Sequence, residues 1–408
     1  MNLECLPYGA GHADEGVCLW VRLGPYRILL DCGLWEISGL FDPAQHLPIA
    51  DVVLCSHAHA DRARGLLHLH QAAPQLPIYA SEVTAHLLPL NWLDVEDVPH
   101  FCQGLPWRSP IELQPNLYAE FFPAGHLPGG AVICLTYVGD AQPYTLMYMG
   151  DCLLSNSRLV EGLPLDELRG LTPDVLIMEG RYGTARYPRR RSQENQLADR
   201  IHQAISQQQS VLLPVPPLGL AQELLMLLRS HHHFTGRNLD IWVEETISAG
   251  CDIYLELLPH FPSSVQNFAR HQPLFWDDRI RPRMQRLAPD TLLGRGDAPT
   301  IVLVPDTADW QTYCREGSWL VLLQQHPGYR SLLDDPNWQP PTHLQVETYL
   351  MCEHCDVAGT TQLIHNLRPQ HILFVCGAPA YLADLTNLEE LRNRYQLHSP
   401  AGGTRVEL

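Results

Sequence analysis

The stretch Asp51-Val-Val-Leu-Cys-Ser-His57-Ala-His59-Ala-Asp61-Arg62 joins a short apolar run to a polar segment rich in metal-ligating side chains. The apolar run is typical of a buried β-strand. After it, His57, His59 and Asp61 stand at alternate positions, and on an extended segment alternate side chains point to the same side. Two imidazoles and a carboxylate form a ligand set that zinc accepts. A polar surface loop is the alternative, but this spacing directly after a buried strand favours a metal site.

Two later segments repeat the pattern of a polar residue at the end of an apolar run. Ala124-Gly-His126 follows the run Tyr118–Phe122, and Tyr148-Met-Gly-Asp151 ends another predicted strand. Taken singly, such a residue is more often structural. Together with the first stretch, and in this order, they resemble the metallo-β-lactamase superfamily. The segment Arg27–Gly33 is similar to one of that family's opening strands.

The second half of the chain narrows the resemblance to the β-CASP branch, which includes ribonuclease J and the endonuclease subunit of the eukaryotic pre-mRNA cleavage factor. Glu179-Gly-Arg-Tyr-Gly183 resembles the first added motif of that branch, and Pro214–Glu223 resembles the helix entry of its inserted domain. Met351–Asp356 and Leu367–Gly377 stand where the branch has its two C-terminal motifs. The resemblance therefore extends over the whole chain.

This resemblance implies an α/β fold, namely a metallo-β-lactamase αββα sandwich with an inserted β-CASP α/β domain. The alternation of predicted strands and helices after about residue 190 favours a parallel sheet in the insertion. We expect the first part of the core at residues 1–190, the inserted domain at residues 191–344, and the returning part of the core at residues 345–408.

The resemblance also assigns metal ligands. The positions that match the family's first metal site are His57, His59, His126 and Asp151. This set is complete and implies one bound zinc ion. The family's second site uses an aspartate, the residue after it, the shared Asp151 and a C-terminal histidine. The matching positions hold Asp61, Arg62 and Cys376. Arginine stays protonated and cannot ligate a metal, whereas cysteine can do so as a thiolate, so the second zinc is doubtful.

Arg62 has two interpretations. Its guanidinium group could lie beside Asp61 and Asp151 and act as a substitute charge where the second metal would be, or it could point to the solvent. The catalytic candidates are His354, Glu179 and Asp61. His354 matches the general acid proposed for the family, with Glu179 placed to orient it, and a histidine suits proton transfer near neutral pH. The alternative for His354 is a buried structural histidine.

The charge of the chain limits its partners. The formal net charge is −18 at pH 7, and every basic residue other than histidine is an arginine. The absence of lysine excludes Schiff-base chemistry on a lysine side chain. Nucleic-acid binding usually depends on a basic surface, so this chain would need a local arginine patch. Arg189, Arg190 and Arg191 form the densest basic cluster, which is either a solvated turn or a phosphate contact.

Two functions compete. The first is a metal-dependent phosphodiester hydrolase of the β-CASP nuclease type that acts on single-stranded RNA, or less readily on DNA. The alternative is a catalytically weakened or inactive relative that serves as an interaction subunit for a protein partner or for a second copy of itself. A hydrolase of small esters fits the core but not the insertion. No apolar run reaches the roughly 18 residues of a membrane helix, and dispersed cysteines favour a reducing compartment. We therefore expect a cytoplasmic protein without a membrane partner.

Overall fold

Three β-sheets organise the computed structural model, which describes residues 3–12, 15–140, 142–288, 298–326, 333, 339–341 and 343–408. In spatial order, the first sheet contains Val406–Glu407, Glu4–Ala10, Val17–Leu23, Tyr26–Leu30, Val52–Leu54, Ile78–Ser81 and Cys102–Leu105. The second contains Gln396–His398, His371–Val375, Val175–Glu179, Tyr144–Met149, Ala131–Tyr137, Leu117–Pro123 and Ile111–Gln114. The third contains Arg283–Arg286, Asp240–Val243, Ile301–Pro305, Ser210–Val215, Trp319–Gln324 and Leu344–Tyr349.

Helices connect and cover these sheets. The α-helices are Ala60–Ala63, Leu66–Ala72, Glu82–Leu87, Leu165–Leu168, Arg190–Ser206, Leu220–Ser230, Glu245–Glu256, Ser263–His271, Val357–Leu367, Pro379–Asn387 and Glu389–Arg392. Short 3₁₀ helices lie at Ser38–Leu40, Leu88–Trp92, Leu258–His260 and Trp310–Thr312. None of the described helices is both long enough and apolar enough to cross a membrane.

The first two sheets pack face to face, because one core takes apolar side chains from both of them. Leu19 and Leu54 of the first sheet, and Phe121, Leu135 and Ile177 of the second, are fully buried there. Two more cores form on the outer faces, where the helices Leu66–Ala72 and Val357–Leu367 cover the first and second sheet, respectively. This layering is the predicted αββα sandwich, and the predicted fold class is confirmed.

The third sheet is built differently, since all of its strand pairs are parallel. Its central strand, Ser210–Val215, is buried at every position, as expected for a parallel strand that helices cover on both faces. The predicted boundary at residues 344/345 would assign nearly all of Leu344–Tyr349 to the returning core, yet this strand pairs with Trp319–Gln324 in the third sheet. Its alternation of polar and apolar residues suits an edge strand, so the third sheet extends to Tyr349. The division into domains itself stays a prediction.

The polar residues singled out above lie where strands of the second sheet end. Tyr144–Met149, Val175–Glu179 and His371–Val375 are neighbouring parallel strands, so their carboxyl ends lie side by side. Leu117–Pro123 runs in the same direction, two strands away from Tyr144–Met149. Val52–Leu54 of the first sheet ends directly before the opening motif. The sandwich therefore brings residues that lie far apart in the sequence to one cleft.

Candidate metal centre and active site

Four side chains converge at this edge. One ligand atom from each of His57, His59, His126 and Asp151 lies within 4.8 Å of the others. His57 Nε2 lies 3.5 Å and His126 Nε2 lies 3.8 Å from Asp151 Oδ2, and His59 Nδ1 lies 3.2 Å from His126 Nε2. The structure thus groups the positions that the resemblance assigned to the first metal site.

The second nitrogen of each imidazole ring has a partner outside this group. His57 Nδ1 lies 3.1 Å from the Ser56 hydroxyl oxygen, His59 Nε2 lies 3.1 Å from the Leu218 carbonyl oxygen, and His126 Nδ1 lies 2.9 Å from the Glu353 carbonyl oxygen. These contacts fix the orientation of the rings and direct the remaining nitrogen of each ring into the centre. Such outer partners are characteristic of metal-ligating histidines.

The chemistry of this donor set fits zinc. His57 Nε2 is buried and has no hydrogen-bond partner among the described residues. Burial, and then the neighbouring His57, lower the pKa of His59 to about 4. Burial, and then His354, hold the pKa of His126 well below its ordinary value. Both rings are therefore neutral near pH 7, which is the form that ligates a metal, and three imidazoles with one carboxylate are a recognised zinc set.

Arg62 occupies the other side of Asp151 and is fully buried, so its side chain does not point to the solvent. Its Nη2 donates a hydrogen bond to Asp151 Oδ1, and its Nη1 donates to the hydroxyl of Tyr148 at 3.3 Å. Its guanidinium group also lies near Asp31 and Asp61, at 3.8 and 3.7 Å. Burial alone would raise the pKa of Asp151, but Arg62 and then Arg181 hold it well below its ordinary value.

A second metal ion does not fit this side of the cleft. The Cys376 sulfur is fully buried and accepts a hydrogen bond from Arg62 Nη1 at 3.1 Å. Burial raises the pKa of the Cys376 thiol to about 12, so the sulfur is a protonated thiol near pH 7. The Asp61 carboxylate lies 3.3 Å from Arg181 Nη2. The ligands considered for a second ion therefore face guanidinium groups.

His354 and Glu179 lie next to the four-residue centre. His354 Nδ1 is 2.8 Å from Glu179 Oε2, and the His354 ring stacks on that of His126 with 4.9 Å between their centroids. Burial alone would lower the pKa of His354, but the carboxylates of Glu179 and Asp151 raise it. The His354 side chain is 10% exposed, so this histidine reaches the surface of the cleft.

The arginines at 189–191 differ in their surroundings. Arg189 and Arg191 are exposed. Arg190 turns inward, where it donates a hydrogen bond to the carbonyl oxygen of Cys352 at 2.8 Å and lies 3.5 Å from Glu223. A phosphate contact through Arg189 or Arg191 stays a prediction.

Several residues of the centre were not singled out from the sequence as site residues. Asp31 is fully buried and accepts hydrogen bonds from Tyr148 and Ser56 at 2.6 and 2.8 Å. It follows an apolar strand, as Asp151 does, and that repeated pattern was a usable signal. Arg181 lies two residues after Glu179 and faces the cleft. The carbonyl groups behind His59 and His126 carry no signal in the sequence, because every residue has one.

Known proteins resemble this chain in sequence and in fold. Residues 26–217 match the family described as "Beta-lactamase superfamily domain". The chain is 50% identical to an uncharacterized protein of Synechocystis over 100% of this chain and 74% of that relative. It is 28% identical to a ribonuclease of Thermus thermophilus over 65% of this chain and 63% of the enzyme, so the match leaves more than a third of that ribonuclease uncovered. A crystal structure of a protein of unknown function from Enterococcus faecalis has a similar fold, with a TM-score of 0.60 at 14% identity over 100% of both chains.

Proposed function

Because the chain belongs to the β-CASP branch of the metallo-β-lactamase superfamily, we propose that it is a metal-dependent phosphodiester hydrolase that cleaves single-stranded RNA. The observation that carries this proposal is that three imidazoles, each oriented by a contact to its second ring nitrogen, converge with Asp151 beside His354. A protein that used this fold only for interaction would have no need of such an arrangement.

In this proposal His57, His59, His126 and Asp151 hold one zinc ion. When bound, zinc would serve as a Lewis acid that stabilises the negative charge developing on the phosphate. The chain's part is to hold three imidazoles in fixed orientations, through Ser56 and through the carbonyl groups of Leu218 and Glu353.

His354 is the proposed general acid. The Glu179 carboxylate next to Nδ1 favours the protonated ring and fixes its direction, which leaves Nε2 to deliver a proton to the leaving oxygen. Glu179 is itself fixed, because it accepts a hydrogen bond from the backbone N–H of Cys152 at 2.8 Å. Asp61, part of which is exposed, lies 3.3 Å from the Arg181 Nη2 atom that is also 3.5 Å from Asp151, and it adds a further carboxylate to the cleft.

RNA as the substrate, and the cytoplasm as the location, are parts of the same proposal. The Thermus relative is named a ribonuclease, which supports RNA over DNA. The net charge of −18 opposes binding to any nucleic acid. We therefore expect weak binding that depends on local arginines and weakens as salt is added.

The test is cleavage of a labelled single-stranded RNA by the zinc-loaded protein. The variant His354→Ala should lose at least about 100-fold in cleavage rate, because general acid catalysis contributes on this scale, while its melting temperature stays nearly unchanged. The control is His260→Ala, which removes an exposed histidine and should cleave as the wild type does. If the wild type cleaves no RNA with zinc or manganese, yet co-purifies in stoichiometric amounts with another protein, it is instead an interaction subunit.

A further inference from the structure

Two arginines lie beside the carboxylate of Asp151, one of them fully buried and the other partly exposed. Arg62 is fully buried, and its Nη1 and Nη2 atoms donate to Tyr148, Cys376 and Asp151, whereas its Nε has no hydrogen-bond partner among the described residues. Arg181 has a side chain that is 26% exposed, and its Nη2 lies 3.5 Å from the second oxygen of Asp151. Asp151 therefore has one guanidinium group at each carboxylate oxygen, with Arg62 at Oδ1 and Arg181 near Oδ2, the oxygen that also faces His57 and His126.

Arg181 keeps most of its hydrogen-bonding capacity. A guanidinium group has five N–H donors, and within the described part of the chain Arg181 makes one hydrogen bond, from Nη2 to Asp61 Oδ2 at 3.3 Å. Its Nε is buried and has no hydrogen-bond partner among the described residues, although Glu179 Oε2 lies 3.9 Å away. The Nη1 donors of this partly exposed side chain are free for an anion that enters the cleft.

The charges of the site indicate how many metal ions it accepts. Four carboxylates line it, namely Asp31, Asp61, Asp151 and Glu179. The two guanidinium groups and the protonated His354 ring offset three of these four negative charges, so one divalent ion on the imidazole ligands already more than offsets the fourth. A second divalent ion would leave an excess of positive charge in largely buried surroundings, which is strongly unfavourable.

We propose that Arg62 and Arg181 together take the place of a second metal ion, and that Arg181 contacts a phosphate oxygen of the substrate. Arg62 neutralises Asp151 from within and does not touch the substrate. Arg181 presents a planar pair of donors that matches two phosphate oxygens. The identity of the substrate rests on the function proposed above, whereas the number of metal ions and the binding of phosphate can be measured without it.

The first test counts metal ions on the intact protein. Zinc content per chain would be measured by plasma mass spectrometry after exposure to excess zinc and dialysis into metal-free buffer. We expect about one zinc per chain. The count would be repeated on His232→Ala/His233→Ala, because His231, His232 and His233 form another group that could hold an ion. A count of about two that persists in this variant would overturn the proposal, because the second ion would then bind in the cleft.

A double variant tests whether Arg62 is the residue that excludes a second zinc ion. Arg62→His together with Cys376→His replaces the buried guanidinium and the thiol by two imidazoles, and we expect zinc content to rise to about two per chain. A folded double variant that still holds one zinc would show that Arg62 is not what excludes the second ion. If the double variant does not fold, the wild-type count decides the question.

The second test measures phosphate binding by isothermal titration of the zinc-loaded protein with inorganic phosphate. Arg181→Gln should weaken binding roughly tenfold or more, since a charge-assisted hydrogen bond is lost. Arg394→Gln removes the same charge from an exposed residue elsewhere and should leave the dissociation constant unchanged. Equal affinity in the wild type and Arg181→Gln, or no phosphate binding by the wild type, would overturn the role of Arg181.

These outcomes separate the two proposals. One zinc per chain and Arg181-dependent phosphate binding without any RNA cleavage would leave the arginine proposal standing and reject the nuclease. Cleavage of RNA by a protein that holds two zinc ions would do the reverse.

Discussion

Two groups of side chains surround the Asp151 carboxylate, and they differ in charge. On one side, the Nε2 atoms of His57 and His126 lie 3.5 and 3.8 Å from Oδ2. On the other, Arg62 brings permanent positive charge to Oδ1, and Arg181 adds a second positive charge near Oδ2. The imidazole side, formed by the histidines, needs a bound metal ion to offset the carboxylate. The guanidinium side, formed by Arg62 and Arg181, carries positive charge of its own. Two similar-looking groups of polar residues can therefore differ in whether they bind a metal, and the difference depends on one or two side chains.

The largest effect should follow from removing the buried charge. Arg62→Met keeps an unbranched side chain but leaves Asp31 and Asp151 buried without their main cation. We expect the free energy of unfolding, measured with urea in EDTA, to fall by about 3–5 kcal/mol, the usual cost of breaking a buried ion pair.

The control for this loss is Arg22→Met. Arg22 pairs with Glu4, but its side chain is 49% exposed. Its replacement should cost about 1 kcal/mol or less. If Arg62→Met proves no less stable than Arg22→Met, the guanidinium side is not held together by Arg62.

The second effect concerns the residue that both sides share. Asp151→Asn removes a ligand from the imidazole side and the main partner of Arg62 from the guanidinium side. Zinc content should fall from about one per chain to nearly none, and the metal-free protein should lose roughly 2–3 kcal/mol, because the amide cannot balance the buried guanidinium.

Asp166→Asn is the matching control, since the side chain of Asp166 is 93% exposed. It should change neither quantity. An Asp151→Asn protein that keeps its zinc would mean that the three histidines alone bind the ion, and that Asp151 belongs to the arginines only.

A smaller effect is expected at Gly219, which lies in the predicted inserted domain next to the carbonyl group that orients His59. Gly219 has a φ of +90°, and an added Cβ would lie 3.0 Å from Leu127 Cδ1 and 3.4 Å from His59 Nε2. Gly219→Ala should cost about 1–2 kcal/mol in unfolding free energy. It should also weaken zinc binding roughly tenfold in a chelator competition, because the adjacent Leu218 carbonyl orients His59.

Gly236→Ala separates backbone strain from this support. Gly236 also has a positive φ, of +76°, but an added Cβ there would have nothing within 4 Å. It should lose a similar amount of stability and keep its zinc affinity. Equal zinc affinities for the two variants would show that the Leu218 carbonyl does not matter for the centre.

The two sides also differ in how far the sequence could predict them. The imidazole side was predictable because its motifs resemble those of a known family, and each motif stands after an apolar strand. The αββα layers were predictable for the same reason, since their strands are apolar runs bounded by turn residues.

The guanidinium side was not predictable to the same degree. The position of Arg62 after Asp61 left its direction open, because the sequence does not specify which side chains of the short helix Ala60–Ala63 turn inward. Its burial depends on Asp31 and Tyr148, which form a hydrogen bond with one another although they lie 117 residues apart in the sequence. Similarly, the edge strand Leu344–Tyr349 pairs by backbone hydrogen bonds that its own sequence does not specify.

The smallest stability effect is expected at the second arginine. Arg181→Gln removes a charge from a side chain that is 26% exposed and makes one long hydrogen bond, at 3.3 Å. Water and Arg62 can still compensate Asp61 and Asp151, so the free energy of unfolding in EDTA should change by less than about 1 kcal/mol. Arg62→Met and Arg181→Gln would then divide two roles between two identical side chains, with stability depending on the buried arginine and anion binding on the exposed one. A loss at Arg181 as large as that at Arg62 would mean that both arginines serve the fold, and that neither is free to meet a substrate.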